Sequence, residues 1–533
     1  MKQAILIILG LLFAQHLQSQ CPAGDVHLPT QAAVNAFATN YPGCATINGN
    51  LTIGPIGPGA SDISNLSALA NLQSVSGILT IAFNTVLTNL NGLQQIATVG
   101  GNLEINDNPS LLQLNGLSGL RSVGGRVSVA LNNALASLGF GPLTSLGHDL
   151  ENTSITITSN PALANLNGFN GLSTLSGNIN IYNNDALPNL QGLNNLYYVV
   201  GNINISDNGA LNSLSGLDGL NYLYGALDVA LNPTLTNFNG LNALRFITVR
   251  LVISYNAALT SLNGLESMYY TGSLNLVANH MLQNLYGLVG LWYVGTDLVV
   301  MDNYLLPNLT GMNNLFYIGN KASIANNVSL ASLDGLNGLS FIGNDFSIEN
   351  NPALANVYAL NTLTTLNGSL RIVNNDALYG LWGLDNIAPT GMTGLTIKNN
   401  NILNTCNSMA ICNYLSDPTR WAGISFNQSG CNTRVEVEWA CTFGASAPGS
   451  DRQGAASLTD DFKIYPNPTS GPIRVEGTDP ENSLYELLDA QGRRVQGGTA
   501  IEGLIDLSAL ASGPYCLRVR VKEGWRTERV VKF

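Results

Sequence analysis

The sequence predicts a mainly β protein in two parts: a parallel β solenoid of about 14 coils between disulfide-stabilised caps, and a small C-terminal β-sandwich. Three observations predict it. An asparagine recurs from Asn84 to Asn399 at a spacing of 24 residues, broken once by 28 and once by 23. Between successive asparagines, apolar residues fall at intervals of three and then two, the pattern of a turn leading into a short strand. After Asp460 the period vanishes, and alternating apolar segments separated by turn residues replace it. The expected boundaries are a signal peptide at 1–19, an N-terminal cap at 20–50, the solenoid at 51–404, a Cys-rich cap at 405–443, a small-residue linker at 444–459 and the last domain at 460–533.

The coil from Asn184 to Asn208 stands for the rest. Leu187, Leu190, Leu193, Leu196 and Val199 are spaced by three, as a tight turn-like stretch requires. Ile203 and Ile205 alternate with Asn202, Asn204 and Ser206, so the former face the core and the latter face out. One coil cannot bury this apolar set alone, but stacked neighbours can. Glycines at the positions of Gly192 and Gly201 are expected at bends closed to other residues. The closing asparagine is expected to point inward, with its amide bonded to turn backbone of adjacent coils.

At the N-terminus, Met1, Lys2 and Gln3 precede the apolar run AILIILGLLFA, which reads as a signal peptide cleaved near Ser19 or Gln20 and is too short for a permanent membrane anchor. No transmembrane segment is expected elsewhere. The cap contains a helix within LPTQAAVNAFATNYPGC and a first strand ending at Ile53, followed by the turn-rich insertion GPIGPGASD. Cys21 and Cys44 sit on this side of the array, and Cys406, Cys412, Cys431 and Cys441 follow its last coil. Such grouping suits disulfide-tied caps in an oxidising compartment. The spacings of 6, 19 and 10 lack the paired cysteines of a zinc site, so no metal is expected, and three pairings of the four stay open. In the C-terminal cap, CNSMAICNYL reads as a short helix and ISFNQSGCNTRVEVEWAC as a closing strand pair. Cys516 is left over.

Charge limits the partners. Of a net −12, the stretch from Cys21 to Phe443 contributes 9 Lys and Arg against 21 Asp and Glu, which argues against nucleic acid. The outward strand positions form a column of mostly small polar residues from Thr80 to Thr396, including Glu104, Asn204, Asp228 and Arg371. One coil is lengthened by HDLENTS at 148–154. A second column is aromatic. Tyr198, Tyr222, Phe246, Tyr270, Tyr293, Tyr317 and Phe341 share one coil position, and Tyr197, Tyr269, Trp292 and Phe316 lie one residue earlier. Either these rings stabilise the stack by burial or they form a ligand-facing stripe, since aromatics with a polar edge are favoured at binding hot spots.

The segment Gly92–Leu111, GLQQIATVGGNLEINDNPSL, resembles the receptor L-domain type of leucine-rich repeat and, more loosely, bacterial leucine-rich repeat surface proteins, over roughly residues 44–404. That resemblance implies a leucine-rich-repeat-like solenoid used for recognition, without identifying the partner. The C-terminal segment resembles the type A C-terminal sorting domain of the type IX secretion system. The resemblance rests on Tyr465, Pro466, Asn467, Pro468 and Gly471, on LLDAQGRRV, on the Gly513 and Tyr515 strand SGPYCLRV, and on the ending ERVVKF with Lys532. It departs at Pro514 and Cys516. It implies passage across the outer membrane of a Gram-negative bacterium, recognition by the translocon, and removal of the domain with surface attachment or release of the cargo.

Catalysis is not expected. The histidines beyond the signal, His27, His148 and His280, are scattered, and no metalloprotease, nucleophile-elbow, phosphate-loop or dinucleotide motif occurs. Glu104 and Asp228 are five coils apart, roughly 24 Å, too far for paired acid and base chemistry. No catalytic residue and no cofactor follows. The expected role is adhesion or recognition of a protein or glycan at the cell surface, with a structural surface-layer component or an accessory polysaccharide-binding protein as the alternatives.

Overall fold

The structure, a computed structural model, describes residues 21–147 and 154–443, and from the C-terminal segment 463–465, 469, 471–476, 484–488, 494–500, 503–521 and 524–532. The expected signal peptide, the linker and nearly all of the 148–154 extension lie outside these residues. The chain divides into two compact units at Gly444 and Ala445.

The first unit is a right-through stack of coils. Among the described residues, 17 strands pair in parallel, each with the next coil's strand, to form its main sheet. Fourteen are the strands that precede a buried asparagine, and Val26–Leu28, Leu51–Ile53 and Ala422–Ser425 extend the sheet at its two ends, so the stack runs to about 16 turns rather than 14. A second side is built from two-residue strands such as Tyr198–Val199 and Tyr222–Leu223, in one set of five and one of nine. The set breaks between Ser145–Leu146 and Thr174–Leu175, on either side of the lengthened coil. Leucines at spacing three line the remaining wall and are fully buried; in four described coils this wall closes into a short 3-10 turn, as at Tyr286–Leu288.

The repeating asparagine holds the coils together. Asn208 Nδ2 donates to Ile181 O of the preceding coil (3.1 Å), to Ser206 O (2.9 Å) and to Asn232 Oδ1 (3.2 Å). Its own Oδ1 accepts from the backbone and side-chain nitrogens of Asn184 (3.2 and 3.3 Å). The inward reading therefore holds, and the amides form a continuous ladder in a dry interior, where unpaired amides would be costly. The member after Asn375 is Asn400, not Asn399, and Asn427 of the cap closes the ladder. Strand Gly394–Lys398 pairs with Ser369–Val373 at an offset of 25, which moves Asn399 into the left-handed turn position before the ladder.

That turn position is where the coil bends. Non-glycine residues from Phe83 to Phe426 occupy it with φ between 53° and 59°. Asn and Asp tolerate this region, but Leu131, Leu231 and Tyr255 take it at a cost of roughly 1–2 kcal/mol each. The expected bend at Gly192 is present, with φ 121°. Gly201 differs: its φ is not left-handed, and glycine is needed because a Cβ would overlap the carbonyl of Gly177 in the coil before.

The caps follow the expected plan with one correction. Helix α1, Gln31–Asn40, closes the N-terminal end, capped by Thr30 Oγ1, and Cys21 is bonded to Cys44. At the other end are α2, Met409–Leu415, and the disulfides Cys406–Cys431 and Cys412–Cys441. The expected closing strand pair is a strand, Ala422–Ser425, followed by a helix, α3, Arg434–Phe443. Valine and glutamate alternate in VEVEW, as in a strand, but helix-capping contacts at its start override that pattern. Thr433 Oγ1 accepts from Glu436 N (3.2 Å), and Glu436 turns back to Asn432 N (3.0 Å) and Gly430 N (2.7 Å).

The second unit contains two antiparallel sheets. Lys463–Tyr465, Ile473–Glu476 and Leu504–Ile505 form one; Leu484–Leu488, Arg494–Thr499, Gly513–Val521 and Gly524–Lys532 form the other. Ile473, Val475 and Ile505 share one core with Leu487, Leu517 and Val530.

Candidate functional site

The two-residue strands of the second side orient the aromatic column. Their second residues, Val199, Leu223, Ile247, Thr271, Val294, Ile318 and Ile342, are buried in the stack. Adjacent strand residues point to opposite faces, so Tyr198, Tyr222, Phe246, Tyr270, Tyr293, Tyr317 and Phe341 lie on the outer face. They are all part-buried except Tyr293, which is almost fully covered.

From Phe246 onward the rings stack on one another. Centroids lie 4.6 Å apart for Phe246–Tyr270, 6.1 Å for Tyr270–Tyr293, 4.3 Å for Tyr293–Tyr317 and 4.6 Å for Tyr317–Phe341, with planes within 21° of parallel. The separation follows the coil rise of roughly 4.8 Å. Burial raises the Tyr270 phenol above its ordinary value. Burial, with the neighbouring Tyr317 and Tyr270 phenols adding to it, pushes Tyr293 far above the ordinary range.

Before Phe246 the arrangement changes. Tyr197 meets Tyr222 edge to face (5.7 Å, 71°), and Tyr198 meets Tyr224 at a tilt (5.0 Å, 48°). Tyr197 is 50% exposed and Tyr224 44%. Lost hydration and the Tyr222 phenol raise Tyr197 above the ordinary phenol value, while the Arg245 guanidinium opposes the rise. Tyr269, Trp292 and Phe316 are part-buried in the column that starts at Tyr197, where Asn221 and Arg245 are the intervening members. Of the eleven expected residues, the seven column rings thus share the outer face over seven coils, Tyr197 and Tyr269 touch that face's Tyr222 and Phe246 rings, and Trp292 and Phe316 are part-buried one residue before it. Tyr224 was not among them. Its signal is a break in a glycine column: Gly272, Gly295, Gly319 and Gly343 stand two residues after the later rings, where the earlier coils have Val200, Tyr224 and Thr248.

Other polar groups are committed elsewhere. The outward column of the main sheet is in register from Thr80 to Thr396, and its carboxylates are paired: Glu104 with Arg126 (2.8 Å) and Asp228 with Nε and Nη2 of Arg250 (3.1 and 2.8 Å). His27 Nε2 bonds Gly54 O (2.9 Å), and His280 bonds Asp302 O (2.9 Å) while stacking on Tyr304. Among the described residues no cluster of His, Cys, Asp or Glu could hold a metal ion.

In the second unit, Lys532 pairs with Gly513, and Thr469 bridges to Lys532, so the end of the Tyr465 segment meets the basic terminus. Tyr515 is buried and donates to Ala511 O (2.8 Å); Gly471 N donates to Thr469 Oγ1 (3.0 Å). Pro466, Asn467 and Pro468 lie outside the described residues.

Residues 43–137 match the Receptor L domain family, and residues 463–532 match the Secretion system C-terminal sorting domain family. No curated protein matches the chain. The solenoid is thus similar to receptor L domains over its first coils, and its asparagine ladder continues to Asn427. The sorting domain supports export by the type IX secretion system and indicates a secreted or cell-surface protein. The L-domain match supports a receptor-like surface repeat protein, and both families are of non-catalytic kinds. No helix among the described residues is long and apolar enough to cross a membrane.

Proposed function

We propose that the solenoid is a binding scaffold displayed on the surface of a Gram-negative bacterium, which holds a protein or glycan partner through the aromatic band between Tyr197 and Phe341. One observation carries this reading. Seven successive coils place an aromatic ring on the outer face of a side whose earlier coils carry Thr98, Ser122 and Thr174. Aromatic surface with a polar edge is what binding sites concentrate, and a solenoid presents it on a rigid, extended support. In this reading residues 460–533 are the address, removed at the surface, and 51–404 the working part between caps 20–50 and 405–443.

The mature chain, immobilised on beads, should adhere saturably to extracellular matrix or cell-surface material, and an aromatic-to-alanine set at Tyr198, Trp292 and Tyr293 should weaken that adherence. If no saturable partner is found among proteins and glycans, the scaffold reading fails. The close stacking of the later rings then favours a structural surface component. The address has its own test: deletion of 461–533 should leave the chain in the periplasm, and unchanged surface display would refute it.

A further inference from the structure

The aromatic band is not uniform: glycines two places after Tyr270, Tyr293, Tyr317 and Phe341 leave room for the stacked rings, of their own coil or of the coil before. Over these glycines the rings settle flat against the backbone. A Cβ on Gly319 would come within 3.3 Å of Tyr317 Cε1, one on Gly343 within 3.4 Å of Phe341 Cε1, and one on Gly295 within 2.6 Å of the Tyr270 hydroxyl. Flat rings one coil apart stack, and stacking covers both faces of every inner ring. What these rings offer to a partner is an edge and a hydroxyl.

At Val200, Tyr224 and Thr248 a side chain stands where the glycines are. Beside Val200 and Tyr224 the rings do not stack: Tyr224 sits tilted between Tyr198 and Phe246, at 48° and 54°, and Tyr197 turns edge-on to Tyr222, whereas Phe246, beside Thr248, still lies 15° from the Tyr270 plane. The same coils hold the two most exposed rings of the band, Tyr197 and Tyr224. The next members of the Tyr197 column are Asn221, whose amide donates to Gly219 O (2.9 Å), and Arg245, whose guanidinium opposes the rise of the Tyr197 phenol. Asp228, on the outward column of the main sheet in the same coil as Tyr224, is engaged by Arg250.

We propose that the open cluster of Tyr197, Tyr198, Tyr222 and Tyr224 binds a neutral saccharide. This rests on the reading of the solenoid as a binding scaffold and narrows it to one class of ligand and one place. A pyranose has an apolar face of C–H groups, which packs on an accessible aromatic face, and a rim of hydroxyls, which bonds phenols and amides. The open cluster supplies both, whereas the stacked column supplies only edges. Neutrality follows from charge: a chain of net −12 repels a polyanionic glycan at long range.

The test uses the full mature chain, with calorimetric titration of soluble neutral oligosaccharides of glucose, mannose, xylose and N-acetylglucosamine, and a uronic-acid oligosaccharide alongside. The expected result is saturable binding of at least one neutral probe, weakened at least about tenfold, or roughly 1.4 kcal/mol, by Tyr197→Ala with Tyr224→Ala. Both rings are half exposed, so the thermal midpoint of that variant should stay at the parent value. Tyr224→Gly should weaken binding as well, by letting the neighbouring rings collapse into the stack, and Tyr286→Ala, an exposed ring outside the band, should not. Neutral-probe binding that survives the double substitution overturns the place. Preference for the uronic-acid probe, or binding of no neutral probe, overturns the ligand class; bead adherence of the same chain then tells separately whether the scaffold reading survives.

Discussion

Replacing one asparagine of the ladder, Asn208→Ala, tests what holds the coils in register. The substitution removes the partner of two groups in the dry interior: the carbonyl of Ile181 in one coil and the backbone N–H of Asn184, both bonded to the Asn208 amide at 3.1–3.2 Å. A buried polar group left unpaired costs about 1–3 kcal/mol, so the pair is expected to cost roughly 2–6 kcal/mol. Because each coil is stabilised by its neighbours, the loss falls on one interface and should loosen the array there rather than uniformly. Native-state hydrogen exchange should show faster exchange in strands Asn178–Tyr182, Ile203–Ser206 and Ala226–Ala230 than in strands near either cap. A loss under about 1 kcal/mol, with unchanged exchange in those three strands, would mean that the amide ladder is a by-product of stacking rather than its cause.

Three further outcomes follow from the same geometry. Tyr317→Ala removes two stacking partners, Tyr293 at 4.3 Å and Phe341 at 4.6 Å, and should lower stability by about 1–3 kcal/mol in chemical denaturation; a loss no larger than that of exposed Tyr197→Ala would deny the stack a structural role. Stability should fall as pH rises above the ordinary phenol value of 10.0, because Tyr293 is held neutral in the folded chain and ionises freely once unfolded. The stabilisation is complete below that pH, and Tyr293→Phe should flatten the alkaline decline in the unfolding midpoint. Replacing Cys412 and Cys441 by serine opens a crosslink spanning 29 residues and should cost about 3–4 kcal/mol, with exchange rising first in α2 and α3; equal loosening at the N-terminal cap would contradict nearest-neighbour coupling.

What the sequence revealed, and what it hid, divides along the direction a side chain faces. Inward positions repeat because each meets its own copy one coil away, so Leu187, Ile203, Ile205 and Asn208 were readable from a single coil. The boundary error at Asn399 came from one extra residue in the last full coil, which a fixed period cannot register. The second strand expected within ISFNQSGCNTRVEVEWAC is a helix because Thr433 and Glu436 satisfy the backbone N–H groups at its start. The left-handed turn was invisible for a different reason: Phe83, Leu131 and Tyr255 occupy it, and none is a residue that ordinarily marks such a bend.

The site, if read from ring identities alone, spans Tyr197 to Phe341 without distinction, since every member is aromatic. The structure divides those rings by a residue that is not aromatic at all in most coils. Glycine after Tyr270, Tyr293, Tyr317 and Phe341 allows the rings to cover each other, and the side chains at Val200 and Tyr224 go with rings that tilt apart. On a scaffold whose coils are nearly interchangeable inside, one small-to-large change in an outward column is enough to turn a self-satisfied stack into open ring surface. Converting Gly295 to a larger residue is accordingly the complementary perturbation: it should lift the Tyr270 ring, expose the adjacent faces and extend the open cluster toward the C-terminal coils, readable as increased quenching of tyrosine fluorescence by a neutral quencher. Unchanged quenching in a variant that keeps its fold would show that the glycine column does not govern ring accessibility.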